Sequence, residues 1–318
     1  MNDGFHHAEL EFVPPGERPK KQQNSDAPKS PTKPELSLQE RFDLGASHRE
    51  KVTDWLCQGF AAGTAKCCII GPGCGAHLNL TQLLDHFAEV QLIDVTQEGL
   101  DLNLQAQSID AEKLQTDVLS DFAGITTVLG QLQKTSANQE LKFHDVQEGI
   151  EAAMHLAPWP VAGKVDIVLS TEGLGMALSA TAAIVGHQHP SLPDFHHAIR
   201  LTHAREILRI LKPGGYGILV NQLMSSKVMP SLPNIPEEKL DWVMSEVIQQ
   251  NRGPTGTSPT QIRDLLLHDQ AIKHELAHVH MLTPWIFDTG PVQFAMSGVS
   301  FCKASPPDPA TSEKEPIS

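Results

Sequence analysis

The sequence predicts an α/β fold: a mainly parallel sheet wrapped by helices on both faces. Three observations predict it. Short apolar runs alternate with amphipathic stretches between residues 67 and 220, the pattern of strand–helix–strand units. A glycine-rich segment, Gly71-Pro72-Gly73-Cys74-Gly75, comes directly after the first apolar run. Two strand-like segments near the end, "AHVHMLTPWIF" and "VQFAMSGVSFC", are joined through Asp288-Thr289-Gly290 and add an antiparallel pair at one side.

The elements run in this order. Residues 1–36 hold six prolines, both charge signs and no apolar period, so they are expected to be a disordered tail. Residues 305–318, "SPPDPATSEKEPIS", read the same way, which leaves 37–304 as one domain. "SLQERFDLGASHREKVTDWLCQGFAAG" has helical spacing and ends on Gly63, giving one or two helices. "AKCCII" is the first strand, "LNLTQLLDHF" a helix, "EVQLIDV" the second strand, and a helix starts near Gly99. Residues 113–121 are expected to be the third strand, 139–156 a helix, and "KVDIVLS" the fourth strand. "FHHAIRLTHAREILRILKPGG" is a long helix stopped by Pro213 and Gly214, and "YGILVNQ" is the fifth strand.

Composition narrows the function. The 318 residues are 40% apolar, enough for a full core. Lys+Arg 24 against Asp+Glu 38 gives a net charge of −14, which repels phosphate backbones. Aromatic residues are 5%, with Tyr216 the single tyrosine, so a stacking platform for single-stranded nucleic acid is not expected. A small-molecule partner is favoured over nucleic acid. The five cysteines form no C-x-x-C pair, so neither a disulfide framework nor a zinc site is expected. No apolar stretch reaches the ~18 residues of a membrane span, and the N-terminus has no apolar signal core. The chain reads as cytoplasmic and away from membranes.

The chemistry begins at the glycine segment. A strand that ends in glycines and opens a helix brings backbone N–H groups close to a ligand. Asp94 stands at the end of the next strand, 19 residues after Gly75. An acid there accepts hydrogen bonds from ribose hydroxyls. A nucleotide-type cofactor is therefore expected, held by Gly71, Pro72, Gly73, Gly75, Asp94 and the adjoining Val95. Gly71, Gly73 and Ala76 also satisfy G-x-G-x-x-A, the nicotinamide fingerprint, so an NAD-dependent oxidoreductase stays open at this point.

Two further phrases narrow the choice. Asp166-Ile167-Val168-Leu169, and a helix running into Leu211-Lys212-Pro213-Gly214-Gly215, resemble the class I S-adenosylmethionine-dependent methyltransferases. Other phrases, "HFAEVQLIDV", "IRLTHAREIL", Ser225-Ser226 and "TPWIFDTGP", are similar to an uncharacterised bacterial subgroup of that family. The resemblance implies a Rossmann-like, doubly wound, mainly parallel seven-stranded sheet with the last strand antiparallel. It implies S-adenosyl-L-methionine as cofactor, with the N-terminal helices capping the site. Asp94 would hold the ribose and Asp121, 27 residues on, the adenine amino group. Asp117 is the second choice for that role, and Asp145 lies too far along. Ser170, Thr171 and Glu172 would lie beside the methyl group.

The chain also departs from the family. Ile69 replaces an acid two residues before the first glycine, and Asn221-Gln222 stand where an acid is common. Strand four runs into Ser170-Thr171-Glu172-Gly173 instead of Asn-Pro-Pro-Tyr, which argues against the amino-methylating DNA and glutamine enzymes. A non-catalytic cofactor- or partner-binding member of the fold is the other alternative these departures leave.

Sixteen histidines invite an acid–base reading. His187, His189, His196, His197 and His203 fall after strand four. His196 and His203 are two helical turns apart and are expected to share a face. Glu172 and His203 are the catalytic candidates, as a base toward a hydroxyl acceptor. His274-Glu275-Leu276-Ala277-His278 matches H-E-x-x-H. It lacks a third ligand and runs into an alternating strand pattern, so no metal is expected.

Overall fold

The computed structural model describes residues 36–72, 78–94, 97–110, 114–118, 125–137, 141–155, 158–159, 161, 164–171, 173–250 and 257–306. The strands are β1 (Lys66–Ile70), β2 (Glu89–Asp94), β3 (Gln115–Val118), β4 (Val165–Thr171), β5 (Leu211–Ser225), β6 (Leu276–Asp288) and β7 (Gln293–Lys303). They form a seven-stranded sheet in the order β3-β2-β1-β4-β5-β7-β6. β7 is antiparallel to both of its neighbours, and the other pairings are parallel. This is the Rossmann-like, doubly wound sheet with its last strand reversed.

The central strands are apolar on both faces. β1 reads Lys66-Cys67-Cys68-Ile69-Ile70, with every residue after Lys66 buried, as a parallel strand covered on both sides must be. On one face Cys67, Ile69, Leu92, Ile167 and Leu169 pack under α2 (Ala46–Cys57), α3 (Leu80–His86) and α4 (Gln97–Ala106). α1 (Leu38–Leu44) runs into α2 through Gly45. On the other face Cys68, Ile70, Val168 and Leu219 pack under five helices. These are α5 (Ile125–Ser136), α6 (Phe143–Met154), α7 (Gly173–Val185), α8 (Leu192–Ile210) and α10 (Pro259–His268). α9 (Glu237–Gln249) closes a smaller cluster over the end of β5.

Asp166 fastens the lower edge of the sheet. Its Oδ2 accepts the Lys66 N–H at 2.8 Å, and both its oxygens accept from Lys212 Nζ at 2.8 Å. The acid at the start of β4 thus ties β1, β4 and β5 together at the end away from the glycine segment.

The structure refines the sequence expectations in three places. The long helix stops just before the Pro-Gly-Gly phrase, as expected, but the strand starts earlier than Tyr216. α8 ends at Ile210, Leu211 already pairs with Val165, and residues 212–215 bulge before Tyr216 resumes pairing with Ile167. A residue before proline resists the helical conformation, which ends the helix before Lys212. α2 covers a sheet face as a core helix, with Val52 and Leu56 fully buried and His48 Nδ1 accepting from Trp285 Nε1–H at 2.8 Å. Its link toward the glycine segment is Thr53, whose Oγ1 accepts the Asn79 N–H at 3.1 Å. Finally, α5, α7, α9 and α10 have no counterpart in the sequence expectations.

No helix among the described residues is long and apolar enough to cross a membrane.

Candidate functional site

The chain runs from β1 outward to β2 and β3, and from β4 outward the other way. The direction of winding reverses between β1 and β4, and ligands of open α/β sheets bind at the carboxyl ends of the strands that flank such a reversal. Gly71, Asp94 and Thr171 come together at that end.

Gly71 follows β1 in a left-handed conformation, φ +69°. Its N–H donates to the Ile93 carbonyl at 2.8 Å, so the turn is stitched to β2 one residue before Asp94. A Cβ at Gly71 would stand 2.6 Å from the Thr171 carbonyl oxygen and 3.4 Å from the Gly173 nitrogen. Only glycine fits both the dihedral and the space. Pro72 is buried beside it; Gly73 and Gly75 lie outside the described residues, as do Val95, Asp121 and Glu172. Asp94 ends β2 at 4% exposure.

Thr171 ends β4 against this turn. Its hydroxyl donates to the Gly71 carbonyl. That hydroxyl is therefore spent on bracing the glycine turn. Ser170 faces the other way, under α8, where its Oγ is 2.8 Å from His203 Nε2. The sequence places Ser170 and Thr171 in direct reach of a cofactor; the structure gives both hydroxyls protein partners and makes them supports of the strand end.

His203 is corrected on physical grounds. It has no exposed surface, and burial pushes its pKa down to about 3. Its ring is edge-on to Trp159, with centroids 5.2 Å apart. A buried neutral imidazole neither reaches a substrate nor changes charge near neutral pH. His196 does share the buried face, as its spacing predicts. Its Nε2 is 3.0 Å from the Leu178 carbonyl, and burial, then Arg200, lower its pKa to about 4. The other histidines scatter. His197 is exposed with Nε2 3.2 Å from Asp269 Oδ2, and His189 Nδ1 accepts the Ser191 N–H. They form no common site.

The adenine candidates separate as well. Asp117 pairs in register with Ile93 on β3, beside the end of β2. Asp145 caps α6 by accepting the Lys142 N–H at 2.8 Å. In the H-E-x-x-H stretch, Lys273–Glu275 is a single 3-10 turn and β6 begins at Leu276. The helix that would put His274 and His278 on one face does not form. Among the described residues no three His, Cys, Asp or Glu side chains gather as a metal site would require.

Sequence reasoning finds Asn221 only as a departure from the family and passes over Gly175. Asn221 lies in β5 at 4% exposure, with both side-chain polar atoms unpartnered. Gly175 sits in the first turn of α7 beside it. The readable signals are a polar amide inside "GILVNQL" and a second glycine at a helix start.

No family model matches the chain, and no curated protein matches it in sequence. Solved structures overlap it loosely. The N-methyltransferase NodS from Bradyrhizobium japonicum WM9 is 10% identical, over 83% of this chain and 98% of that one, with a TM-score of 0.42. The same protein in complex with S-adenosyl-L-homocysteine is 11% identical, over 85% and 86%, with a TM-score of 0.37. A SAM-dependent methyltransferase from Aquifex aeolicus is 14% identical, over 85% and 100%, with a TM-score of 0.37. Overlaps this loose assign no function; the strand order and the strand ends carry that weight.

Proposed function

We propose that the protein transfers a methyl group from S-adenosylmethionine to a small-molecule acceptor. The observation that carries this reading is the order β3-β2-β1-β4-β5-β7-β6, with β7 reversed and the Gly71 turn and Asp94 side by side at the strand ends. The dinucleotide-binding sheet has the order 3-2-1-4-5-6. The reversed β7 between β5 and β6 departs from it, which disfavours the nicotinamide reading.

The residues at the strand ends fit the cofactor. The Gly71 turn leads the chain from β1 into the glycine segment, the candidate to pass close to a methionine moiety, and the Asp94 carboxylate suits a pair of ribose hydroxyls. In sequence, Asp121 is the candidate for the adenine amino group, with Gly73, Gly75 and Val95 completing the loop and strand end. The cofactor supplies an activated sulfonium methyl. The protein's own work is alignment and exclusion of water. Thr171 holds the turn against β4. Ser170 and His203 fix the end of β4 from behind, so His203 acts here as a positioning residue. Glu172, just before α7, is the candidate to take a proton from a hydroxyl acceptor. The charge of −14 and the scarcity of aromatics favour a small neutral or cationic acceptor over nucleic acid. We read the catalytic domain as 37–304, working in the cytoplasm.

The test has two parts. S-adenosylhomocysteine should raise the melting temperature in a concentration-dependent way while NAD does not. Label from methyl-tritiated S-adenosylmethionine should then enter the small-molecule fraction of a cell extract. Label entering nucleic acid or protein instead would refute the acceptor class, and stabilisation by NAD alone would refute the cofactor.

A further inference from the structure

Asn221 lies one residue past Val220, which pairs with Thr171 at the end of β4. Along a strand, side chains alternate. Asn221 therefore shares the face of Leu219, whose side chain packs in the core beneath α7 and α8. It is 4% exposed, and neither Oδ1 nor Nδ2 has a hydrogen-bond partner. An amide buried this way is a cost to folding that a leucine would avoid. Its neighbours Leu219, Val220 and Leu223 are apolar.

The first turn of α7 meets this amide. A Cβ on Gly175 would lie 3.8 Å from Asn221 Oδ1 and 3.5 Å from Thr257 Cγ2. Gly175 is partly exposed while Asn221 is not. Gly175 thus has no side chain to cover the amide on that side. Among the described residues the groups nearest the amide are uncharged: Gly175, the Thr257 methyl and the strand neighbours. A charged ligand group would be desolvated there without a counter-charge. The amide offers one acceptor and one donor side by side, and the opening turn of α7 adds N–H groups without helix partners. A group that both donates and accepts is the match.

We infer that Asn221 binds an uncharged hydroxyl or carboxamide of the methyl acceptor, admitted by the absent side chain of Gly175. That the ligand is the methyl acceptor rests on the methyl-transfer reading; binding of the polar group stands on Asn221 alone. Asn221 is thereby a specificity residue for neutral, hydrogen-bonding acceptors.

Acetamide is the probe. It is titrated into nitrogen-15-labelled full-length protein, following the Asn221 side-chain NH₂ signals, assigned by their loss in Asn221→Leu. The pair should shift saturably, with a Kd on the order of 1–100 mM for so small a ligand. Acetate and methylammonium should leave it unmoved. Gly175→Ala, whose methyl approaches the amide without a clash, should weaken acetamide about fivefold or more, the worth of one neutral hydrogen bond. Asn221→Leu should melt at or above the wild-type temperature, because it removes unmet polar groups.

A pair that does not saturate, an equal response to acetate, or unchanged acetamide binding in Gly175→Ala overturns the inference. So does a marked fall in melting temperature for Asn221→Leu, which would make the amide structural. S-adenosylhomocysteine binding is measured in parallel. Its absence in the wild type defeats the methyl-transfer reading and leaves the acetamide result to stand; its presence without an acetamide response does the reverse.

Discussion

Replacing Gly71 by alanine tests the strand ends where the geometry is tightest. The new Cβ would stand 2.6 Å from the Thr171 carbonyl oxygen, well inside contact distance. That carbonyl belongs to a strand end paired with Val220 and braced by the Thr171 hydroxyl, so it has little freedom to retreat. The φ of +69° adds its own cost, about 1–2 kcal/mol for an L side chain in the left-handed region. Overpacking adds about 1–3 kcal/mol. The sum, about 2–5 kcal/mol, corresponds to a fall in Tm on the order of 10 °C. Differential scanning calorimetry reads it directly. Gly175→Ala is the internal control, because its Cβ meets nothing nearer than 3.5 Å. Removing a glycine from a helix should raise stability by up to ~1 kcal/mol. S-adenosylhomocysteine affinity should fall in Gly71→Ala and persist in Gly175→Ala. Equal melting temperatures for Gly71→Ala and wild type would refute the close approach of β1 and β4.

Burial depresses the pKa of His203 to about 3 and of His196 to about 4, while an unfolded histidine titrates near 6.5. The unfolded state thus binds more protons below about pH 6.5. Stability is full above that pH and is lost as pH falls toward the folded values, by up to ~1.4 kcal/mol per pH unit for each histidine. Urea denaturation between pH 5 and 6.5 should show this slope, and His203→Gln should remove one histidine's share; an unchanged slope in that variant would count against the buried neutral imidazole. Asp166→Ala should cost about 1–2 kcal/mol, because it strands the Lys66 N–H and frees Lys212. It should leave S-adenosylhomocysteine affinity intact, since five residues of strand, roughly 17 Å, separate Asp166 from Thr171. A loss of affinity there would deny that the two ends of the sheet are independent. Truncation should begin before Leu36, which packs against the turn at Gly290. Removing residues 1–35 should change cofactor affinity by less than tenfold in calorimetric titration; a larger loss would make the N-terminal segment a lid.

The strands were legible because their apolar runs have no other use. "CCII", "VQLID" and "DIVLS" are buried on both faces and bounded by turn residues. The β6–β7 hairpin was legible from its alternation and its Asp-Thr-Gly turn. The missed helices have physical reasons. α7 mixes small residues with apolar ones on both sides, Met176 exposed opposite the buried Leu174 and Leu178, so the contrast between faces is small and helical periodicity is faint. α5 carries Thr126, Thr127 and Gly130, poor helix formers. Yet Ile125, Val128, Leu129 and Leu132 form a buried stripe that the period reveals. At the site, Gly71 and Asp94 were readable because chain order fixes their place at the strand ends. The roles of Ser170, Thr171 and His203 were not. Which face of a strand end a hydroxyl takes, and whether an imidazole is buried, depend on α8 crossing beneath β4, a contact between residues 33 positions apart.

Everything proposed for the site depends on S-adenosylmethionine being held at the ends of β1 and β2 by the glycine turn and Asp94. Calorimetric titration of S-adenosylhomocysteine into wild type and Asp94→Ala, with NAD as comparison, tests it most directly. One site per chain is expected in the wild type, and a loss of about 1–3 kcal/mol in the variant, where charge-assisted bonds to the ribose disappear. NAD should give no heat. Equal affinity in a folded Asp94→Ala, or binding of NAD but not of S-adenosylhomocysteine, would contradict that placement.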